Sequence, residues 1–349
     1  MPSPIRYSDD VETELPGEAA VIDETIDLMR HTLEQTFEVQ RHATSATHAK
    51  SHGIVTGTLA VHDDLSPELA QGMFTEPGSY EVVIRYASEP GQVDPDTAPA
   101  ARGLALKVLD VPGEKLRPDW TSHDFLFNTW PILPQGDAAT YLKVIKTRHE
   151  NFGHPTKIKT GTMLADPSRK ESRFDRTPNI SPVAHLYYSQ GAFRYGDFVA
   201  KFALVPVAPE QVSAGERTVD KNDPPGVLRD WVREYHAVHR GRFELRVQLN
   251  TDLATMPVED ASVEWDEDVS PYRTVATVET PPQESFSPAR RIYAEDVLSW
   301  RPWYGLAAHR PLGSINRVRR EAYEVLGAWR HDVNAQAERD PTRLADEPD

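Results

Sequence analysis

The chain predicts an α+β fold: an antiparallel barrel or sandwich of eight or so strands with helices packed against it. Three observations point there. Runs rich in Val, Ile, Thr and Tyr recur along the sequence, eight or so in number. They follow one another across turn-forming residues, without the regular helical crossovers that a doubly wound sheet requires. A last segment, 316–331, is helical and uninterrupted by proline, so one helix closes the fold.

Taken in order, 21–39 places Ile22, Ile26, Met29, Leu33 and Phe37 at helical intervals, which predicts an amphipathic helix with one buried face. Segments 53–62 and 80–87 are strands, separated by the turn residues Asp63-Asp64 and Pro77-Gly78. Segment 90–101 is a Pro/Gly/Asp loop. Leu104, Leu106 and Val108 alternate in a third strand over 103–109, and 124–128 is a fourth. A helix follows over 138–151, then an irregular polar stretch, 155–182. Strand character returns in HLYYSQGAF, FVAKFALVPV, RFELRVQLN, ASVEW and RTVATVET, with a helix at 227–239 between the second and third. Asn316 stands where a helix cap would.

No internal repeat or linker divides the chain, so one domain is expected over 21–331. Residues 1–20 are expected to be a flexible acidic arm and 332–349 a flexible acidic tail. Residues 1–25 hold seven acids against one base, and 332–349 six against two, which together make −10 of the formal −16. That charge opposes nucleic acid and anionic membranes as partners. Zero cysteines exclude disulfides and thiolate ligands and fit a reducing compartment. No apolar run spans a bilayer and the start lacks a secretory pattern, so the expectation is a cytoplasmic protein with no membrane span.

Chemistry concentrates at two places. Arg319, Tyr323 and Arg330 share one helix face at intervals of four and seven, flanking one phenol with two guanidiniums. Positive charge favours a phenolate, which can bind ferric iron; a solvated Arg/Tyr face has the same spacing, and the residues alone leave both open. His48 and His52 stand before the first strand, where Gly53 and a β-branched run argue against a helical zinc pair. His236 and His239 lie among Arg229, Arg233 and Arg240, as on a solvated charged face. No phosphate loop, dinucleotide fingerprint or serine-hydrolase elbow occurs.

Tyr323 with Arg319 and Arg330 resembles the proximal site of the haem catalases, and the segment from Trp300-Arg301-Pro302 to Arg317 resembles their short bacterial relatives. The resemblance spans roughly 41–331 and implies an eight-stranded catalase-like barrel whose C-terminal helix carries the proximal tyrosine. It implies haem b, with Tyr323 as axial iron ligand, Arg319 stabilising the phenolate, and Arg330 and Arg85 as cofactor-binding residues, Arg85 toward a propionate. His48 takes the place of the distal base and Asn128, in Asn-Thr-Trp-Pro, that of the distal asparagine. The segment around Gly103 resembles the family's Arg-Gly-Phe-Ala-Leu-Lys and is expected to be mainly structural.

The implied activity is heterolytic cleavage of hydrogen peroxide or an organic hydroperoxide to a ferryl intermediate, reduced by a small organic electron donor, in a homo-oligomer. Two departures, Ser45 for a haem-contacting arginine and Ala87 for the serine that orients the distal histidine, together with Trp130 beside Asn128, shift the expectation to peroxidase activity with weak catalase activity. Alternatives are a non-catalytic haem carrier and a hydroperoxide-rearranging enzyme on the same fold.

Overall fold

A computed structural model describes residues 2–89, 91–154 and 177–344. Among these residues nine strands form one antiparallel sheet: β1 (Lys50–Val61), β2 (Ser79–Ser88), β3 (Arg102–Val108), β4 (His123–Asn128), β5 (Tyr187–Tyr188), β6 (Phe193–Tyr195), β7 (Phe198–Pro206), β8 (Gly241–Leu249) and β9 (Arg273–Thr280). Their order is β5-β4-β3-β2-β1-β9-β8-β7-β6, and β5 also pairs with β7. That extra pairing closes eight strands into a barrel and leaves β6 as a hairpin partner of β7.

Strand alternation decides what each wall faces. Val82, Ile84 and Tyr86 of β2, Leu104, Leu106 and Val108 of β3, and Phe125 and Phe127 of β4 belong to one buried core with Phe202, Phe243 and Leu245 from across the barrel. Each such side chain stabilises the fold by about 1.5–3 kcal/mol. The intervening residues Arg85, Ala87, Gly103, Ala105, Leu126 and Asn128 therefore lie on the outer face of the same three strands.

A helical layer covers that outer face. It is made by α1 (Glu18–Gln40), α2 (Ala138–Glu150) and, last in the chain, α5 (Ser314–Val333). Ile22, Ile26, Met29 and Leu33 of α1 pack with Ala138 and Ile145 of α2 and Val318, Ala322 and Leu326 of α5. α3 (Val227–Val238) lies elsewhere on the barrel, and α4 (Pro288–Ile292) runs into a π-helical turn, Tyr293–Val297. No helix among the described residues is long and apolar enough to cross a membrane.

The structure corrects several expectations. Segment 261–265 is not a strand: Ser262 bonds to Asp260 through both its amide (2.9 Å) and its hydroxyl (2.6 Å), and Trp265 is buried against Met256, Val258 and Leu312. Asn316 does not cap α5. It lies inside the first turn, and its amide donates to Ala192 (3.0 Å) and Leu312 (2.9 Å) carbonyls. His236 is not on a solvated face but fully buried, beside Tyr86 and Tyr235.

The acidic ends also make contacts. Glu12 accepts from the Gly313 amide (2.7 Å), Arg317 (3.0 Å) and Arg310 (2.7 Å), and Glu18 takes Arg317 side-on at 2.6 and 3.0 Å. Glu338 pairs with Arg301 at 2.8 Å, and Asp340 accepts from the Thr121 amide at 2.6 Å. Residues 155–176 of the irregular stretch and 345–349 of the tail lie outside the described residues.

Candidate functional site

Between the outer face of β2–β4 and the helical layer lies a cavity with about 980 Å³ of empty space, counting its open mouth. Tyr323, Arg319 and Arg330 line it from α5, Arg85 from β2, Asn128 from β4, and His48 from the approach to β1. All six residues singled out in the sequence thus meet in one place.

His48 is held in an unusual way. Its φ is +56°, a left-handed conformation that costs a non-glycine residue free energy. Arg85 Nη2 donates to the His48 carbonyl (2.9 Å), fixing that backbone turn from beneath. The imidazole lies over Gly103, where a Cβ would come within 2.4 Å of Nδ1. Among the described residues Nδ1 has no hydrogen-bond partner. Burial lowers the His48 pKa to about 4; Glu89 pulls the other way, and Arg85, Arg319 and Arg148 add to the depression. The ring is therefore neutral at pH 7.

Asn128 Oδ1 accepts the Thr129 amide proton (2.8 Å), so Nδ2 is the group it can offer the cavity. Arg319 is set by Gln190 Oε1 and Asn316 Oδ1, both at 3.2 Å. Tyr323 is raised above the usual phenol range by burial, which Arg319 opposes. Arg330 donates to the Leu298 carbonyl (2.9 Å), while its Nη1 is buried without a partner among the described residues. Burial brings Arg330 down to about 10, with Arg85 nearby adding to the effect.

Sequence reasoning missed several cavity residues. Arg301 lines the same space, so four arginines and, among the described residues, no Asp or Glu line it, although Arg301 is itself paired with Glu324 (3.0 Å) and Glu338 (2.8 Å). Trp300 lines it too, whereas Trp130 does not and instead donates its indole proton to Thr177 (2.7 Å). A second chamber shares His48, Asn128 and Tyr323 and continues to Tyr141 and the Glu89–Arg148 pair (3.0 Å). Trp300 and Arg301 stood in a quoted motif, but nothing in their spacing says which way they point. Among the described residues no three His, Asp or Glu converge on a metal site.

The residues fit a flat, apolar, dianionic cofactor. Arg85, Arg319 and Arg330, the last with an unpaired nitrogen among the described residues, suit carboxylates; Ala105, Leu126, Ala322 and Leu326 suit an apolar disc; and Tyr323 offers a phenol oxygen that an iron could take as phenolate.

No family model matches the chain and no curated protein matches it. Solved structures do. A fungal catalase aligns at TM-score 0.62 and 18% identity over 85% of this chain, catalase A from Saccharomyces cerevisiae at 0.59 and 15% over 85%, and a bacterial catalase at 0.60 and 15% over 86%. The chain spans less than two thirds of each, covering 62%, 64% and 60% of their lengths. What they share with it is the closed eight-stranded barrel and the helices packed on it: this chain has the catalase fold.

Proposed function

We propose that the chain is a haem b protein that acts as an oxidoreductase on hydrogen peroxide or an organic hydroperoxide. The observation that carries this is the convergence of Tyr323, Arg319, His48 and Asn128 on one cavity that four arginines and no carboxylate line. Haem, when bound, supplies a redox-active iron. Tyr323 holds it as phenolate, a form Arg319 stabilises by its charge. Arg85 and Arg330 would hold the propionates.

The protein's own contribution to peroxide cleavage is proton handling. Neutral His48 takes the proton from one peroxide oxygen and returns it to the other, which leaves as water or an alcohol. Asn128 Nδ2 donates to the outer oxygen and keeps it in place. The absence of an orienting partner on His48 Nδ1 supports a peroxidase with weak catalase activity, using a small organic donor. Trp130 no longer supports it, because its indole is turned to Thr177. Oxygen release measured against donor oxidation at equal peroxide decides between the two activities. Assembly as a homo-oligomer in the cytoplasm belongs to the same proposal.

Haem reconstitution followed by visible spectroscopy tests it. Stoichiometric haem with a tyrosinate-type ferric spectrum, lost in Tyr323→Phe, is the expected result; an unchanged spectrum in that variant overturns the ligand assignment. The unpartnered imidazole also favours a second reading, a non-catalytic haem carrier. His48→Ala separates them: the enzyme keeps haem and loses peroxide turnover by about 100-fold or more, whereas a carrier has no turnover to lose.

A further inference from the structure

At the surface, away from the cavity, α1 and α2 meet around two histidines. His31 and His149 have ring centres 6.0 Å apart, and both line a groove with Glu34 and Glu38, alongside Phe37 and Trp329. Their tautomers follow from their partners. His31 Nδ1 lies 2.7 Å from the Asp27 carbonyl, which can only accept, so Nδ1 carries the proton. Thr32 spends its hydroxyl proton on the Leu28 carbonyl (3.0 Å), so the 3.4 Å contact between Thr32 Oγ1 and His149 Nδ1 places the proton on Nδ1 there as well. Both neutral rings therefore carry their lone pair on Nε2. A proton held on Nδ1 by an outer acceptor, with Nε2 presented, is the state in which imidazole binds a metal.

We propose that His31 and His149 form a two-nitrogen site for a divalent transition ion of the Zn²⁺, Cu²⁺ or Ni²⁺ class, bridging α1 and α2. With metal–nitrogen distances near 2.0–2.1 Å, each ring centre stands about 3.2 Å from the ion. On a tetrahedral ion two such rings have centres about 5.2 Å apart, so the observed 6.0 Å must close by about 0.8 Å, a movement open to the exposed His31 side chain. Glu34 and Glu38 follow His31 by three and seven residues on the same helix face. They are engaged in exposed pairs with Arg30 (3.2 Å) and Arg41 (3.0 Å), which are worth little and yield readily. Water completes the coordination, since no third His, Asp or Glu converges with the two imidazoles among the described residues. Since only the two nitrogens are pre-set, the site binds exchangeably, and imidazole donors select these ions over Mg²⁺ and Ca²⁺. The site does not depend on haem, yet it bears on the cavity: α1 supplies Met29 to its wall, and Arg148 of the second chamber precedes His149.

Zn²⁺ titration of the full chain by calorimetry, with Mg²⁺ as control and thermal melting in parallel, tests the proposal. One ion per chain, a rise in Tm with Zn²⁺ alone, and loss of the site in His31→Ala and in His149→Ala are expected. His149→Gln, which retains a hydrogen-bond donor toward Thr32, should lose the ion while keeping the wild-type melting curve in the absence of metal. No binding at millimolar Zn²⁺, or binding unchanged in the double alanine variant, overturns it.

Discussion

His48 shows how much of the site's chemistry is set by residues that do none of it. Its left-handed backbone is pinned by Arg85, its ring rests on Gly103, and burial keeps it unprotonated. Gly103 was legible in the sequence as a strand glycine of mainly structural use, but not as the seat of His48, because a ring lying over a backbone 55 positions away leaves no local pattern. The structure gives it a definite role, which a methyl group would abolish by meeting Nδ1 and Cε1 at 2.4 and 2.5 Å. Gly103→Ala is expected to retain the barrel and haem content while lowering peroxide kcat by about tenfold or more, the scale at which misplacing a catalytic group acts. Unchanged kinetics with intact haem would remove Gly103 from the site. Tyr323 and its two arginines were legible because helical spacing converts directly into a shared face. The tryptophans were not: whether an indole faces a cavity depends on backbone turns that composition does not encode.

At the scale of elements, most strands and helices were legible from periodicity, and the errors have physical causes. Segment 261–265 alternates like a strand, but Asp260 captures the Ser262 amide and hydroxyl in a local turn that competes with ladder pairing. The start of α5 was misassigned because its N-terminal partner is not local. Gly313, at φ +87°, leads into the helix, and its amide is taken by Glu12, 301 residues away in sequence. Arg317, one turn further on, spends Nε, Nη1 and Nη2 on Glu12, Glu18 and Glu259. Arg317→Met leaves three carboxylates without their shared cation. A loss of about 3–5 kcal/mol in unfolding free energy is expected, as for other broken buried pairs, and is measurable by denaturant titration. Arg317→Lys should recover only part of it, since an ammonium cannot fork among three carboxylates.

For the molecule as a whole, the buried histidines govern the response to acid. Burial lowers His48 and His236 to about 4 and His185 and His309 to about 3, and it also depresses His52 and His123. In the unfolded chain each titrates near 6.5. Below that pH the unfolded state binds protons that the folded state refuses, so stability falls as pH falls from about 6.5 toward 4. Asp124 and Glu295 are raised by burial and act in the opposite direction, but only near the carboxylate range. Unfolding midpoints compared at pH 7 and about pH 5 should show a clear loss at the lower value; equal midpoints would mean that these imidazoles are solvated or charged in the folded protein.

The cluster around Arg317 also bears on the order in which the protein is made. It joins residues 12 and 18 to residue 317 across 305 and 299 positions of sequence. A chain emerging from the ribosome presents residue 317 to residues 12 and 18 only after the barrel strands β1 to β9 have all been made. The wall that bears Tyr323 can form only after every barrel strand has been synthesised, so the cavity has its full lining only once the chain has grown past α5.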